Sequence, residues 1–146
     1  MRFKEDHPFE GREFDWVATD SKGSVGYFST AGVAPVPEIC LSNNGIYEYL
    51  FEEVVGLPVV CAARVLDKSD RDIADWIAVA ERGFYAYDWS RYTSRYDLVA
   101  KPSEPLSAMT LPRALRSVVT AIEVETDFRK LEYLAPGMSA SMDTLG

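Results

Sequence analysis

The stretch Phe14-Asp15-Trp16-Val17-Ala18-Thr19-Asp20-Ser21-Lys22-Gly23-Ser24-Val25-Gly26-Tyr27-Phe28-Ser29-Thr30 decides the fold class of this chain. From Glu13 to Thr19, Phe14, Trp16 and Ala18 fall on one side of an extended backbone. Glu13, Asp15, Val17 and Thr19 fall on the other, which is the period-2 pattern of a β-strand. Asp20-Ser21-Lys22-Gly23 then offers turn chemistry: an Asp side chain accepts from nearby backbone amides, and Gly takes positive φ without a steric cost. Val25 to Thr30 resumes an aromatic, β-favouring run, so the stretch predicts an antiparallel hairpin. Pro35 and Pro37 fix φ and remove two amide donors, and the sheet is expected to stop there.

Downstream, Ser42 is positioned to cap a helix running to Val55, with Tyr47, Leu50, Phe51 and Val54 as its buried stripe and Gly56 and Pro58 ending it. A second helix follows Ser69, whose spacing to Asp72 resembles a capping box. Ile73, Trp76, Ile77 and Ala80 form its buried stripe, Arg71 and Asp75 an exposed i, i+4 pair, and Arg82 and Gly83 its end. Pro58 to Leu66 suits either a buried strand or a short helix. From Phe84 the period returns to 2: Tyr85, Tyr87 and Trp89 share one face, Tyr96, Leu98 and Ala100 share a face of the next run, and Ser90 to Arg95 connects them. Arg113 to Ser117 reads as a short helical turn, and Val118 to about Glu125 as a last strand or a helix. The order β-β-α-α-β-β-β predicts an α+β single domain over residues 1–135, a mainly antiparallel sheet of four to five strands packed against two helices. Residues 136–146 are expected to be a loosely ordered C-terminal tail.

The length of 146 residues fits one domain with a sizeable core. Fifteen Lys and Arg against 23 Asp and Glu give a net charge of −8, which argues against phosphate-neutralising nucleic-acid binding and against a polybasic membrane surface. No apolar run is long enough to span a bilayer, and the N-terminal residues lack a signal-peptide core. Two cysteines, Cys40 and Cys61, suit a reduced, cytoplasmic setting. The charge is unevenly placed: residues 23–63 carry four acids and no Lys or Arg. An acidic face is therefore expected to involve this stretch.

Reactive groups are scarce. His7 is the single histidine and precedes Pro8 in a charged terminal segment, which does not suit a nucleophile–His site. One His and two Cys at positions 7, 40 and 61 do not give the paired short spacings of a zinc site. Asp67-Lys68-Ser69-Asp70-Arg71-Asp72 has cations where a calcium loop has ligands. Gly23-Ser24-Val25-Gly26 lacks the third glycine of a dinucleotide fingerprint, and no Gly-Lys-Ser or Gly-Lys-Thr occurs. Carboxylate pairs exist at Glu52-Glu53 and Glu123/Glu125, at the frequency expected of an acidic chain. No catalytic residue is assigned, and neither a cofactor nor a metal is expected.

Two features suit binding better. Glu48, Glu52 and Glu53 lie on the polar side of the expected helix 42–55, the last two in its final turns, where acids oppose the helix dipole. In the second hairpin, Tyr85, Tyr87 and Trp89 are expected to be core, whereas Arg91, Tyr92 and Arg95 in the loop are residue types enriched at interface hot spots. The expected partner-binding residues are therefore Glu48, Glu52, Glu53, Arg91, Tyr92 and Arg95.

The run Trp16 to Gly32 closing on Pro35-Val36-Pro37, with Arg82-Gly83-Phe84-Tyr85-Ala86-Tyr87-Asp88 and Tyr96-Asp97-Leu98-Val99-Ala100-Lys101-Pro102, resembles a group of small uncharacterised bacterial proteins. Some of these are similar to immunity proteins of polymorphic toxin systems. The resemblance covers about residues 13–112 and rests on turn and strand signatures, so it implies a bacterial origin and a fold and transfers no site residue. Two functional expectations result. The first is a non-enzymatic protein-binding domain, an immunity-like inhibitor that meets a basic toxin with its acidic face. The alternative is a small-molecule-binding protein or minor enzyme with a pocket between sheet and helices. An oligomerising domain is a third, and the sequence leaves the oligomeric state open.

Overall fold

Residues Asp15–Thr19 (β2) and Val25–Ser29 (β3) form the expected hairpin, in register from Asp15 opposite Ser29 to Thr19 opposite Val25. The computed structural model describes residues 2–5, 14–42 and 47–136. The turn is held by Asp20, whose Oδ1 accepts from the amides of Lys22 (2.9 Å) and Ser24 (2.8 Å), while Gly23 supplies the positive φ of 81°. The other carboxylate oxygen of Asp20 accepts from the amide of Phe128 at 2.8 Å, so one buried side chain ties the hairpin to a segment far along the chain.

The remaining elements are β1 (Phe3–Lys4), β4 (Val36–Pro37), α1 (Leu50–Val55), β5 (Ala63–Val65), α2 (Ala74–Glu81), β6 (Tyr85–Ser90), β7 (Arg95–Pro102), α3 (Arg113–Thr120) and β8 (Tyr133–Leu134). The main sheet has six strands in the order β2-β3-β6-β7-β5, with β8 also on β7. It is larger than the four to five strands expected, and among the described residues there are three α-helices rather than the expected two, because residues 113–120 extend beyond a turn. All its pairings are antiparallel except β3 with β6. The main sheet does stop before the prolines, but Val36–Pro37 pairs with Phe3–Lys4 in a separate two-stranded ladder.

The second hairpin forms as expected, with one irregularity. A β-bulge at Val99 separates the pairs Tyr87–Leu98 and Ala86–Ala100, so Ala100 lies on the opposite face from Leu98 rather than sharing it. The freed Val99 carbonyl accepts from the amides of Leu66 (2.8 Å) and Asp67 (3.3 Å), which pulls the segment after β5 against β7. Within the 58–66 stretch only Ala63–Val65 is strand, and the stretch is an exposed edge rather than a buried strand: Val59, Val60 and Val65 all stay exposed. Along the opposite edge, Thr19 donates to Ile122 O at 2.9 Å and accepts from Val124 N at 2.7 Å. The Val118–Glu125 stretch is therefore helix and then edge contact.

The two helices drawn from sequence both shorten. The helix α1 starts at Leu50 rather than after Ser42, and the Ser42 hydroxyl donates to Ile39 O at 3.0 Å, at the end of a 3₁₀ turn over Glu38–Leu41. The stripe itself holds, with Tyr47, Leu50 and Val54 buried and Phe51 packed against the core. In α2, Ser69 does not form a capping box: its amide donates to Asp67 Oδ1 at 2.8 Å, and Asp72 Oδ1 accepts from Ala74 N at 2.9 Å. Val79 and Ala80 are the fully buried positions, with Trp76 packed more loosely. Arg82 and Gly83 end the helix as expected, the guanidinium donating to Ala78 O at 3.1 Å and Gly83 taking φ 93°.

Register puts Trp16, Phe28 and Tyr87 in one row across three strands. Their rings stack at 4.1 and 4.7 Å, each pair within 8° of parallel. Tyr96 stands edge-on to Trp16 and Phe28, and Phe128 closes over Phe28, Tyr85 and Tyr87. Three buried polar tips of this face have partners: Trp16 Nε1 donates to Tyr96 Oη (3.1 Å), Tyr96 to Pro35 O (2.7 Å) and Tyr87 to Leu131 O (2.6 Å). On the opposite face, Val17, Tyr27 and Ala86 make the next row, and α1 and α2 pack there.

Candidate functional site

The same register aligns Asp15, Ser29, Asp88 and Asp97 across β2, β3, β6 and β7. This polar row lies on the helix-bearing face, and α1 and α2 cover it incompletely. Between the row and the two helices is a cleft of about 440 Å³.

Its floor is Tyr27, whose hydroxyl donates to Asp15 Oδ2. Burial, reinforced by the negative charge and hydrogen bond of Asp15 and by Glu52 and Asp75, raises the Tyr27 phenol far above its ordinary range, so it remains a donor. Arg71 bounds one side. Its Nε meets Asp67 Oδ2 and its Nη1 meets Asp88 Oδ2, both at 2.7 Å, and the guanidinium lies 5.0 Å above the Trp76 ring. Arg71 therefore pairs with Asp67 and Asp88 instead of Asp75, which corrects the i, i+4 expectation. Burial raises the Asp88 carboxyl above the usual carboxylate range, and Arg71 opposes that shift. Asp67 is held below the range by hydrogen bonds from Ser69 and by Arg71. Trp76 also lines the cleft, and its buried Nε1 has no hydrogen-bond partner among the described residues. Glu48, Glu52 and Asp75 also line it, so among the described residues five carboxylates line the cleft against one guanidinium.

A second cavity, about 650 Å³, lies beyond Arg71 and Asp88, between the 66–71 segment and the β6–β7 hairpin. Ala31 borders both cavities in a left-handed conformation at φ 56°. It is held there by Thr30, whose hydroxyl donates to Phe14 O and accepts from Gly32 N.

The six residues expected from sequence do not form one surface. Glu48 and Glu52 line the first cleft and Arg91 and Tyr92 the second, while Glu53 and Arg95 line neither. Arg95 is engaged by Asp97 at 2.7 Å and by the Tyr133 ring, 3.9 Å from its guanidinium carbon. Because α1 begins at Leu50, Glu52 and Glu53 fall in its first turn, where acids complement the helix dipole. The expected opposition between these charges and their own helix is therefore absent. Tyr85 and Tyr87 are core, as expected. The cleft residues not singled out from sequence are Asp15, Tyr27, Arg71, Trp76 and Asp88. Strand alternation put Asp15 on the polar side, but its neighbours depend on register.

Compared with family models, curated proteins and solved structures, the chain finds no match. Function must be read from the clefts.

Both cysteines are free thiols. Burial pushes Cys40 up to about 12, which keeps it a protonated core residue. Among the described residues no three His, Cys, Asp or Glu side chains converge to hold a metal ion, and no helix is long and apolar enough to cross a membrane. His7 lies outside the described residues, as does the tail from 137 onward.

Proposed function

We propose that this protein is a non-enzymatic binding domain that captures a basic protein, in the manner of an immunity protein, through the acidic cleft between α1 and α2. The observation that carries the reading is the charge imbalance of that cleft, five carboxylates to one guanidinium among the described residues. Arg71 is already engaged by Asp67 and Asp88, so an incoming Lys or Arg meets Glu48, Glu52 and Asp75 with little internal competition. Phe51 and Trp76 in the walls offer aromatic faces to such a cation. Opposite charge speeds encounter, and desolvated contacts set the lifetime.

The test is co-expression with the product of the adjacent reading frame, followed by pull-down at low and high salt. A complex that weakens in the Glu48→Gln/Glu52→Gln/Asp75→Asn variant, but not in Glu53→Gln, supports the reading. Absence of both complex and protection overturns it.

The second reading, a small-molecule binder or minor enzyme, is favoured by the Tyr27–Asp15 pair at the base of a cleft between sheet and helices. A metabolite screen by thermal shift tests it, since any ligand of the native state raises Tm.

A further inference from the structure

The run Leu57-Pro58-Val59-Val60-Cys61-Ala62-Ala63-Arg64-Val65-Leu66 holds one charged residue, Arg64. It nevertheless lies at the edge of the main sheet, with Val59, Val60 and Val65 exposed. The β5–β7 ladder fixes which way its backbone points. Ser103 N donates to Ala62 O and Leu66 N to Val99 O, both at 2.8 Å, and Arg64 stands opposite Lys101 between them. Hydrogen-bonded pairs alternate along an antiparallel ladder, so Ala62, Arg64 and Leu66 turn their amides toward β7 while Ala63 and Val65 turn theirs outward. The outward N–H and C=O groups of Ala63 and Val65 have no partner among the described residues, which makes β5 an open sheet edge. Charge beside this edge is unmatched too. Arg64 and Lys101 are direct cross-strand neighbours on one face, and neither has an ion-pair partner among the described residues. On a chain of net charge −8, two adjacent free cations form a local positive spot.

We propose that β5 is a docking edge for an extended segment of another protein, which adds to it antiparallel with a carboxylate opposite Arg64 and apolar side chains opposite Ala63 and Val65. Main-chain hydrogen bonds at Ala63 and Val65 hold the added strand. The residue opposite Arg64 falls in the non-hydrogen-bonded pair, where side chains come closest, so an acid there meets the positive spot. A second copy of this chain fits less well: the antiparallel register that uses both Ala63 and Val65 sets Arg64 against its own counterpart, and like charges directly opposite destabilise a ladder. The edge shares no residue with the acidic cleft, so the inference stands or falls independently of the basic-partner reading.

The test titrates the full chain with the acetylated, amidated peptide Ser-Thr-Val-Glu-Val-Thr-Ser and its Glu-to-Gln counterpart, read by amide chemical-shift mapping and hydrogen exchange. The glutamate peptide should shift the amides of Ala63 and Val65 and slow their exchange, leaving Asp15, Glu52 and Asp75 unmoved. The glutamine peptide should bind roughly two- to fivefold more weakly, the range of an exposed ion pair. Methylating the backbone nitrogens of both peptide valines should abolish binding, whereas methylating that of the glutamate, which points away from β5, should spare it. Arg64→Gln, a change on an exposed edge, should bring the glutamate peptide to the glutamine peptide's affinity, and high salt should narrow the same gap. Equal affinity of the two peptides for the unmodified protein, binding that survives methylation of the valines, shifts centred elsewhere, or no saturable binding at millimolar peptide would each overturn the proposal. So would a concentration-dependent dimer that protects Ala63 and Val65 without peptide, since the occupant would then be a second copy.

Discussion

The two faces of the central sheet are made from alternate residues of the same strands, yet one is sealed and the other is left open. On the aromatic face, Trp16, Phe28 and Tyr87 stack in register and Phe128 closes over them, with each of the Trp16, Tyr87 and Tyr96 polar tips satisfied. On the helix face, a six-residue α1 and an eight-residue α2 leave the row Asp15, Ser29, Asp88 partly uncovered. The contrast assigns stability mainly to the aromatic face, since buried rings contribute packing, and on the proposed reading recognition falls to the other, whose polar groups are incompletely covered.

Changes on the aromatic face should have the largest effect. Phe28→Ala removes the ring shared by both stacks and should cost about 3–5 kcal/mol in urea denaturation; a loss under 1 kcal/mol would mean that the sheet does not depend on that row. Gly26→Ala should cost about 1–3 kcal/mol, because a Cβ there would lie 2.7 Å from Phe128 Cζ, and that ring is wedged against Tyr85 and Tyr87. Asp20→Ala strands the Phe128 amide and should cost about 1–3 kcal/mol, with Asp20→Asn recovering part of it.

The helix face should respond to pH instead. Asp88 has a raised carboxyl in the folded state, so its contribution favours folding below its unfolded pKa and is lost as pH rises through the folded value. Arg71→Met removes the group opposing that shift. The variant should be destabilised at neutral pH by roughly 1–2 kcal/mol, and the deficit should shrink in mild acid; a deficit independent of pH would mean that Arg71 acts through packing alone. The smallest effect belongs to Glu52→Gln, which should change stability by no more than about 0.5 kcal/mol while weakening capture of a basic partner. If it unfolds the protein, the division between the two faces fails.

Local chemistry made part of this legible. Asp20 and Gly23 marked the first turn, the Tyr85–Trp89 alternation marked the second hairpin, and Arg82-Gly83 marked a helix end, because each signal is completed by residues a few positions away. The parallel pairing of β3 with β6 has no local signature, and neither does the bulge that turns Ala100 to the other face. Ser42 marked a helix start eight residues before the one α1 takes at Leu50. That shift of helix start also reversed the meaning of Glu52 and Glu53 relative to the dipole. At the site, Glu48 and Glu52 stood out by charge and Arg91 and Tyr92 by residue type. Asp15, Arg71 and Asp88 became recognisable only once register and the 66–71 segment brought them together.

The bond from Asp20 to the Phe128 amide has a kinetic meaning. Its partners are 108 residues apart, so the first hairpin can close its own turn locally through Lys22 and Ser24 but docks on the segment at Phe128 only after that segment has been made. The parallel β3–β6 pairing imposes a similar wait. Such non-local closure slows folding, and a nascent chain ending before Phe128 would present an unsealed row of aromatic rings as a target for chaperones or aggregation.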